Sequence, residues 1–208
     1  MTRRSLADNS QLLDRASILR RVPPRGLAFV TLANSAYKEL AINWALLLLP
    51  LLRSIGAEGH AFLAALDAPL AQALLQRRLP TLRIDVNDSA TAADEPTANF
   101  RLRFSRFRAY GVAKAELIIW LLTNHREVVM SDVDTAWLTL PHALLAELPE
   151  ADVLAGTDCL HVGEDADRSS RGKVVTRCGH HPGATWSAWV NTGVLAFRDT
   201  PQALSLAV

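Results

Sequence analysis

Residues Val128-Val129-Met130-Ser131 lead into Asp132-Val133-Asp134, so two carboxylates one residue apart follow a strand-like apolar run. Side chains alternate along extended backbone, and Asp132 and Asp134 therefore project the same way and can address one ligand together. Side by side they repel each other unless a cation or a proton intervenes. Hard oxygen donors suit Mg2+ or Mn2+, ions that commonly take only one or two protein carboxylates while phosphate oxygens supply other ligands. The chemistry implied is the holding of a metal diphosphate. A single Asp at a strand end usually caps the turn or helix that follows; a pair behind four residues of this kind favours the ligand.

Lys114 is a second, independent candidate. Phe107, Tyr110, Gly111, Ile118 and Leu121 follow the spacing of a helix's inward stripe, and Lys114 falls on that stripe. A buried ammonium is costly unless it meets an anion, so Lys114 either reaches the surface or pairs with a carboxylate or a phosphate. A structural ion pair explains it as well as a ligand does. Asn191-Thr192-Gly193 interrupts a β-rich run over 189–197. Glycine inside a strand marks the close approach of a ligand or backbone, or a β-bulge. Cys159, His161, Cys178 and His180 or His181 do not have the spacing of a common zinc site. The two cysteines could equally form a disulfide in an oxidising compartment or stay as thiols in a reducing one. His125 and His142 read as surface or helix-end residues. Neither G-x-x-x-x-G-K-[ST] nor G-x-G-x-x-G is present.

The elements that must position these groups follow from periodicity. Residues 27–33, Leu-Ala-Phe-Val-Thr-Leu-Ala, have the length and apolarity of a strand buried on both faces. Asn34 and Ser35 are helix-capping types, and a long apolar helix is expected to about residue 55, with Pro50 as a possible kink. A strand over 60–66, a helix over 69–78 and a strand over 81–86 repeat the β-α-β pattern. A loop over 87–99 precedes a helix over 104–123, a strand over 127–131, a helical segment over 141–148 and a strand over 152–156. A long irregular stretch over 159–185 comes before the last strand. The fold class expected is α/β: one Rossmann-like domain over 26–208, with a mainly parallel central sheet flanked by helices, preceded by a basic arm over 1–25.

Composition narrows the partners. The 208 residues are 50% hydrophobic and 21% charged with formal net charge +1, which excludes a disordered chain and gives no electrostatic footprint for nucleic acid. The longest apolar stretch, 40–52, contains Asn43 and Pro50 and falls short of the roughly 20 residues a membrane span needs. No signal peptide or anchor is expected from the residues near Met1.

Four ordered elements carry a resemblance: Phe29-Val30-Thr31-Leu32-Ala33-Asn34-Ser35-Ala36-Tyr37, the helix bearing Lys114, Ser131-Asp132-Val133-Asp134, and Trp189-Val190-Asn191-Thr192-Gly193-Val194. Over about 27–201 the chain resembles GT-A glycosyltransferases. It is nearest to the nucleotide-diphospho-sugar transferases that include plant cell-wall xylosyl- and arabinosyltransferases, and more distantly similar to glycogenin-like enzymes. The resemblance implies transfer of a sugar from a nucleoside diphosphate donor, a UDP-sugar, to an acceptor hydroxyl with retained anomeric configuration. It implies that Thr31, Ala33, Asn34 and Tyr37 line the nucleotide pocket, with Tyr37 against the base. Asp132 and Asp134 would hold Mn2+ or Mg2+, Asp132 also touching the ribose. Lys114 would contact the donor sugar or phosphate, and Asn191, Thr192 and Gly193 would border the sugar site. It assigns no nucleophile, leaves the glycan or glycoprotein acceptor open, and implies the Golgi lumen.

Relatives continue with an Asp-Gln element and a later His that this chain does not reach before Val208, so an incomplete C-terminal part is expected. Two alternatives remain at this stage. Asp132-Val133-Asp134-Thr135 also resembles the nucleophile motif of haloacid-dehalogenase-type phosphatases, with Asp132 as nucleophile and Asp134 as acid/base. That class needs a downstream Lys followed by acids, whereas Lys173 follows Asp165 and Asp167. The other alternative is a non-catalytic nucleotide-sugar-binding fragment.

Overall fold

A computed structural model describes residues 12–84, 104–157 and 190–208. The described elements are β1 (Leu12–Leu13), α1 (Arg15–Arg21), β2 (Leu27–Ala33), α2 (Lys38–Ser54), β3 (Ala61–Ala65), α3 (Ala68–Gln76), β4 (Thr81–Arg83), α4 (Phe104–Thr123), β5 (Glu127–Ser131), α5 (His142–Glu147), β6 (Val153–Thr157), β7 (Val190–Phe197) and α6 (Pro201–Ala207). The seven strands form one sheet in the order β1-β4-β3-β2-β5-β7-β6. Pairings from β1 through β5 are parallel, while β7 runs antiparallel between β5 and β6. The α/β class with a mostly parallel sheet is as expected.

The apolar run of β2 is explained by its place at the middle of the sheet. Every residue from Leu27 to Ala33 is buried, because helices cover both faces. Leu27, Phe29 and Ala33 pack with Trp44, Leu48 and Leu52 of α2 and Leu70 and Leu74 of α3. Ala28, Val30 and Leu32 pack on the other face with Ile18 of α1 and Leu117, Ile118 and Leu121 of α4. The helix α2 continues through Pro50 and gives way to Gly56 at φ +71°, a left-handed turn that glycine enters without a steric cost.

Most element ends shift by a residue or two from the sequence expectation, β4 stops at Arg83 rather than at 86, and three differences change how the chain is built. The chain after β2 makes a 3-10 turn, Ser35–Tyr37, before α2 begins, and neither Asn34 nor Tyr37 gives its helix a side-chain cap. His60 belongs to another 3-10 turn, Glu58–His60, so β3 starts at Ala61. The segment expected as an arm ahead of the fold is part of it from Leu12 onward. Leu12 and Leu13 pair with Thr81 and Leu82 at the sheet edge, and Ile18 and Val22 are buried. Asp14 caps α1 by accepting from the Ser17 amide at 2.6 Å, and the Arg126 guanidinium donates to the Leu19 and Val22 carbonyls at 2.8 and 3.0 Å. The arginines around these few apolar residues hide them from a reading by composition. The expected loop over 87–99, the stretch over 159–185 and its cysteine and histidine candidates Cys159, His161, Cys178, His180 and His181 lie outside the described residues.

Candidate functional site

From β2 the chain adds β3 and then β4 on one side, and α4 returns it to β5 on the other side of β2. Strand order thus reverses between β2 and β5, and in open α/β sheets ligands bind in the crevice beyond the carboxyl ends at such a point. Residues 34–37 leave β2 there and residues 132–134 leave β5 there. The two groups of sequence candidates thus leave the sheet side by side, as the two lips of the crevice expected at that point.

The β5 lip is held by charge. Lys114, on α4, is 7% exposed. Its Nζ donates to Asp132 Oδ1 at 2.8 Å and to the Thr192 carbonyl at 2.6 Å. The ammonium is therefore paired rather than extended to the surface, and one of its three hydrogens is left for another acceptor. Tyr110, one helical turn before Lys114, hydrogen-bonds through its hydroxyl to the Asp132 side chain. Burial, followed by the charges of Asp132 and Asp134, pushes that hydroxyl's pKa well above the ordinary tyrosine value, and Tyr37 adds to the effect. Asp132, Asp134 and Tyr37 all lie within electrostatic reach of this one hydroxyl. The Asp132 amide donates to the Gly193 carbonyl at 2.6 Å, and the Thr135 amide closes a turn on the Asp132 carbonyl at 3.1 Å, so Asp132 and Asp134 sit in a turn beyond β5 and not on the extended backbone expected from their spacing.

The third wall is β7. Ala155 of β6 pairs with Leu195, but Gly156 pairs with Asn191, so Thr192, Gly193 and Val194 bulge away from β6 while Val194 stays paired with Ser131 of β5. The bulge aims the Thr192 carbonyl at Lys114 and the Gly193 carbonyl at the Asp132 amide. Asn191 Oδ1 accepts from the Gly193 amide at 2.6 Å. A Cβ on Gly193 would lie 2.7 Å from that oxygen and 3.5 Å from Asp132 Oδ2. A bulge and a close approach are both present: the Gly193 backbone bonds that of Asp132, just beyond β5, and its missing side chain leaves space for Asn191 Oδ1.

The β2 lip itself carries no charge at residues 33–37, and it is held by backbone bonds and by the Asp67 carboxylate behind it. Ala33 and Asn34 are 3% and 2% exposed, and the Asn34 carbonyl accepts from the Tyr37 amide at 3.0 Å. Tyr37 is half-buried against the core under α2. Thr31 is fully buried. By strand alternation it shares the α2 face with Phe29 and Ala33, so it forms floor behind the lip rather than a surface of the crevice. Beside it, Ser131 accepts a hydrogen bond from Trp44 Nε1 at 2.8 Å.

Two residues that the sequence reading did not name as site residues stand here. Tyr110 lay on the inward stripe and was legible as buried, but its partner Asp132 was not. Asp67, after β3, accepts from the Leu70 amide at 2.8 Å with Oδ1, and from the Ser35 amide and hydroxyl at 2.8 Å each with Oδ2. An Asp before Ala68-Pro69 is a visible helix cap; its partner 32 positions back carries no local signal. His125, paired with Asp199 at 3.3 Å, is exposed. His142 opens α5, and neither histidine belongs to the crevice.

Residues 58–207 match the model of the family described as nucleotide-diphospho-sugar transferase. The chain belongs to that family. The matched stretch includes Lys114, Asp132, Asp134 and Asn191 to Gly193, and begins after the β2 lip. Arabinosyltransferase XEG113 of Arabidopsis thaliana is 29% identical over 133 residues, which cover 62% of this chain and 18% of that protein. The chain thus spans less than a fifth of the length of that curated relative. The crystal structure of mouse xyloside xylosyltransferase 1, apo form, aligns with 15% identity and a TM-score of 0.42, covering 88% of this chain and 71% of that one.

Proposed function

We propose that the protein transfers a sugar from a nucleoside diphosphate donor, a UDP-sugar, to the hydroxyl of a glycan or glycoprotein acceptor in the Golgi lumen, retaining the anomeric configuration. The observation that carries this reading is the buried Lys114 paired with Asp132, with Tyr110 against the same carboxylate, at the reversal of strand order in a chain of this family. Two hard carboxylates that act on one hydroxyl make a donor set suited to Mn2+ or Mg2+, with diphosphate oxygens as the remaining ligands. Asp132 and Asp134 would hold the ion. When bound, it supplies a Lewis acid that stabilises negative charge on the departing nucleoside diphosphate.

The chain's own residues supply the rest. Lys114 and Tyr110 fix the Asp132 carboxylate from the α4 side, so its lone pairs point in set directions before a ligand arrives. The Lys114 ammonium adds positive charge next to the position where the leaving diphosphate gains charge, and a preorganised charge of this kind lowers the barrier without reorganising at the moment of reaction. Tyr37 offers an aromatic surface to the base from the opposite lip. The bulge of Thr192 and Gly193 closes the sugar end, where Gly193 leaves room beside Asp132.

Among the described residues no helix is long and apolar enough to cross a membrane. The test is a panel of UDP-sugars incubated with the protein, acceptor glycans and Mn2+, with UDP release and glycan mass both followed. Transfer that is lost in Asp134→Ala supports the proposal. Mn2+-dependent UDP binding without transfer would make the chain a binder instead, and phosphate release from simple phosphomonoesters, lost in Asp132→Asn, would make it a phosphatase.

A further inference from the structure

The crevice has one wall whose shape depends on a residue outside it. We propose that Asp67 is a positioning residue for nucleotide binding, a clamp that sets the turn carrying Tyr37; the binding part of this inference rests on the function proposed above. Asp67 stands at the carboxyl end of β3, beside β2, and its two oxygens divide their work. Oδ1 accepts from the Leu70 amide and caps α3, while Oδ2 accepts from both the amide and the hydroxyl of Ser35, all at 2.8 Å. Hydrogen bonds to an ionised carboxylate are among the strong ones, and three on one group leave it little freedom.

Ser35 opens the 3-10 turn Ser35–Tyr37, which is closed by backbone bonds. The Asn34 carbonyl accepts from the Tyr37 amide at 3.0 Å, and the Ser35 carbonyl accepts from the Lys38 amide. The capping side chain that helix entry normally recruits is missing from Asn34 and from Tyr37. The turn that leads into α2 is therefore anchored from a neighbouring strand, through Asp67. The Leu66 amide donates to the Ala33 carbonyl at 2.9 Å and brings the two strand exits side by side. A turn anchored in this way presents Tyr37 to the crevice in one orientation, so binding need not spend free energy ordering it.

Two substitutions separate the clamp from the cap. Ser35→Pro removes the amide and the hydroxyl that Oδ2 receives but leaves the α3 cap intact. Proline suits the first position of a helical turn, and Asn34 at φ −111°, ψ 179° is in the extended region favoured before proline. Ser35→Thr keeps both donors and serves as the conservative control. Amide hydrogen exchange at Tyr37 and Lys38 is measured in the full chain without nucleotide, and UDP affinity is measured with Mn2+. The expected result for Ser35→Pro is exchange faster by about tenfold at Tyr37 and Lys38 with Leu70 unchanged, and a UDP Kd raised by about tenfold. Ser35→Thr is expected to match the wild type in both, and the melting temperature of Ser35→Pro is expected to stay within a few degrees of wild type.

Unchanged exchange at Tyr37 and Lys38 in Ser35→Pro overturns the clamp. Faster exchange with an unchanged UDP Kd overturns its role in binding and leaves Asp67 a structural cap. If wild-type protein does not bind UDP, the functional reading fails, and the binding role of Asp67 falls with it; the exchange data then decide the clamp alone.

Discussion

The two lips of the crevice are built on different physics. The lip after β2 is neutral: residues 34–37 are held by backbone bonds and by the Ser35 contact to Asp67, which lies outside the crevice. The lip after β5 is charged: Lys114, Tyr110 and the Gly193 carbonyl fix Asp132, and the Thr192 carbonyl holds Lys114. A neutral lip keeps its shape whatever ligand is present, which suits recognition of a flat base. A charged lip can exchange partners with an anionic ligand and a cation, which suits the diphosphate. Division of labour between shape and charge is what the difference teaches, and substitutions on the two lips should fail in different ways.

The largest effect is expected on the charged lip. Asp134→Ala should weaken Mn2+-dependent UDP binding by about 100-fold or more while leaving metal-free binding of uridine unchanged, as calorimetry would read. Equal losses for UDP and uridine would erase the distinction between the lips. Next comes Lys114→Met, which deprives a partly buried carboxylate of its cation. It should cost about 2 kcal/mol of stability in denaturant unfolding, less than a fully buried pair because the Asp132 side chain is 34% exposed. Unchanged stability would mean that Asp132 is satisfied without Lys114.

A smaller cost is expected for Gly193→Ala, about 1–2 kcal/mol, since the new methyl meets Asn191 Oδ1 at 2.7 Å. Because that atom ends a side chain, Asn191→Ala in the same chain should recover most of the loss, and a double-mutant cycle measures the coupling. Additive costs would place the strain in the backbone.

The smallest effect concerns Tyr110→Phe, worth about 1 kcal/mol through the lost hydrogen bond to Asp132. Its signature is the pH dependence. With the hydroxyl's pKa raised by burial and by the two carboxylates, the unfolded chain ionises Tyr110 first as pH climbs past 10. The folded state then binds more protons than the unfolded one, so stability falls as pH rises above that point. Tyr110→Phe should flatten that alkaline loss, and an unaltered slope would contradict the buried placement of the hydroxyl.

The charged lip was far more legible in the sequence than the neutral one. Asp132, Asp134 and Lys114 are costly groups set in apolar surroundings, and Gly193 breaks a strand, so each announces a constraint locally. The pairing of Lys114 with Asp132 was open between ion pair and ligand because sequence gives a helix face but no distance. Asp67 and Ser35 are ordinary capping types, and their bond spans two strands that only the parallel register brings together. Thr31 was expected to line the pocket, yet strand alternation turns it under α2. The packing of residues 12–22 was hidden by charge, while β2 and β5 were read with their observed bounds because buried parallel strands need unbroken apolar runs.

The central claim is that both lips address one ligand. A crystal structure of the protein with UDP and Mn2+ tests it most directly. The account predicts the uracil ring against Tyr37, with the diphosphate and the metal at Asp132 and Asp134. A nucleotide bound with its base away from the 34–37 turn, or a metal held without either carboxylate, would contradict it.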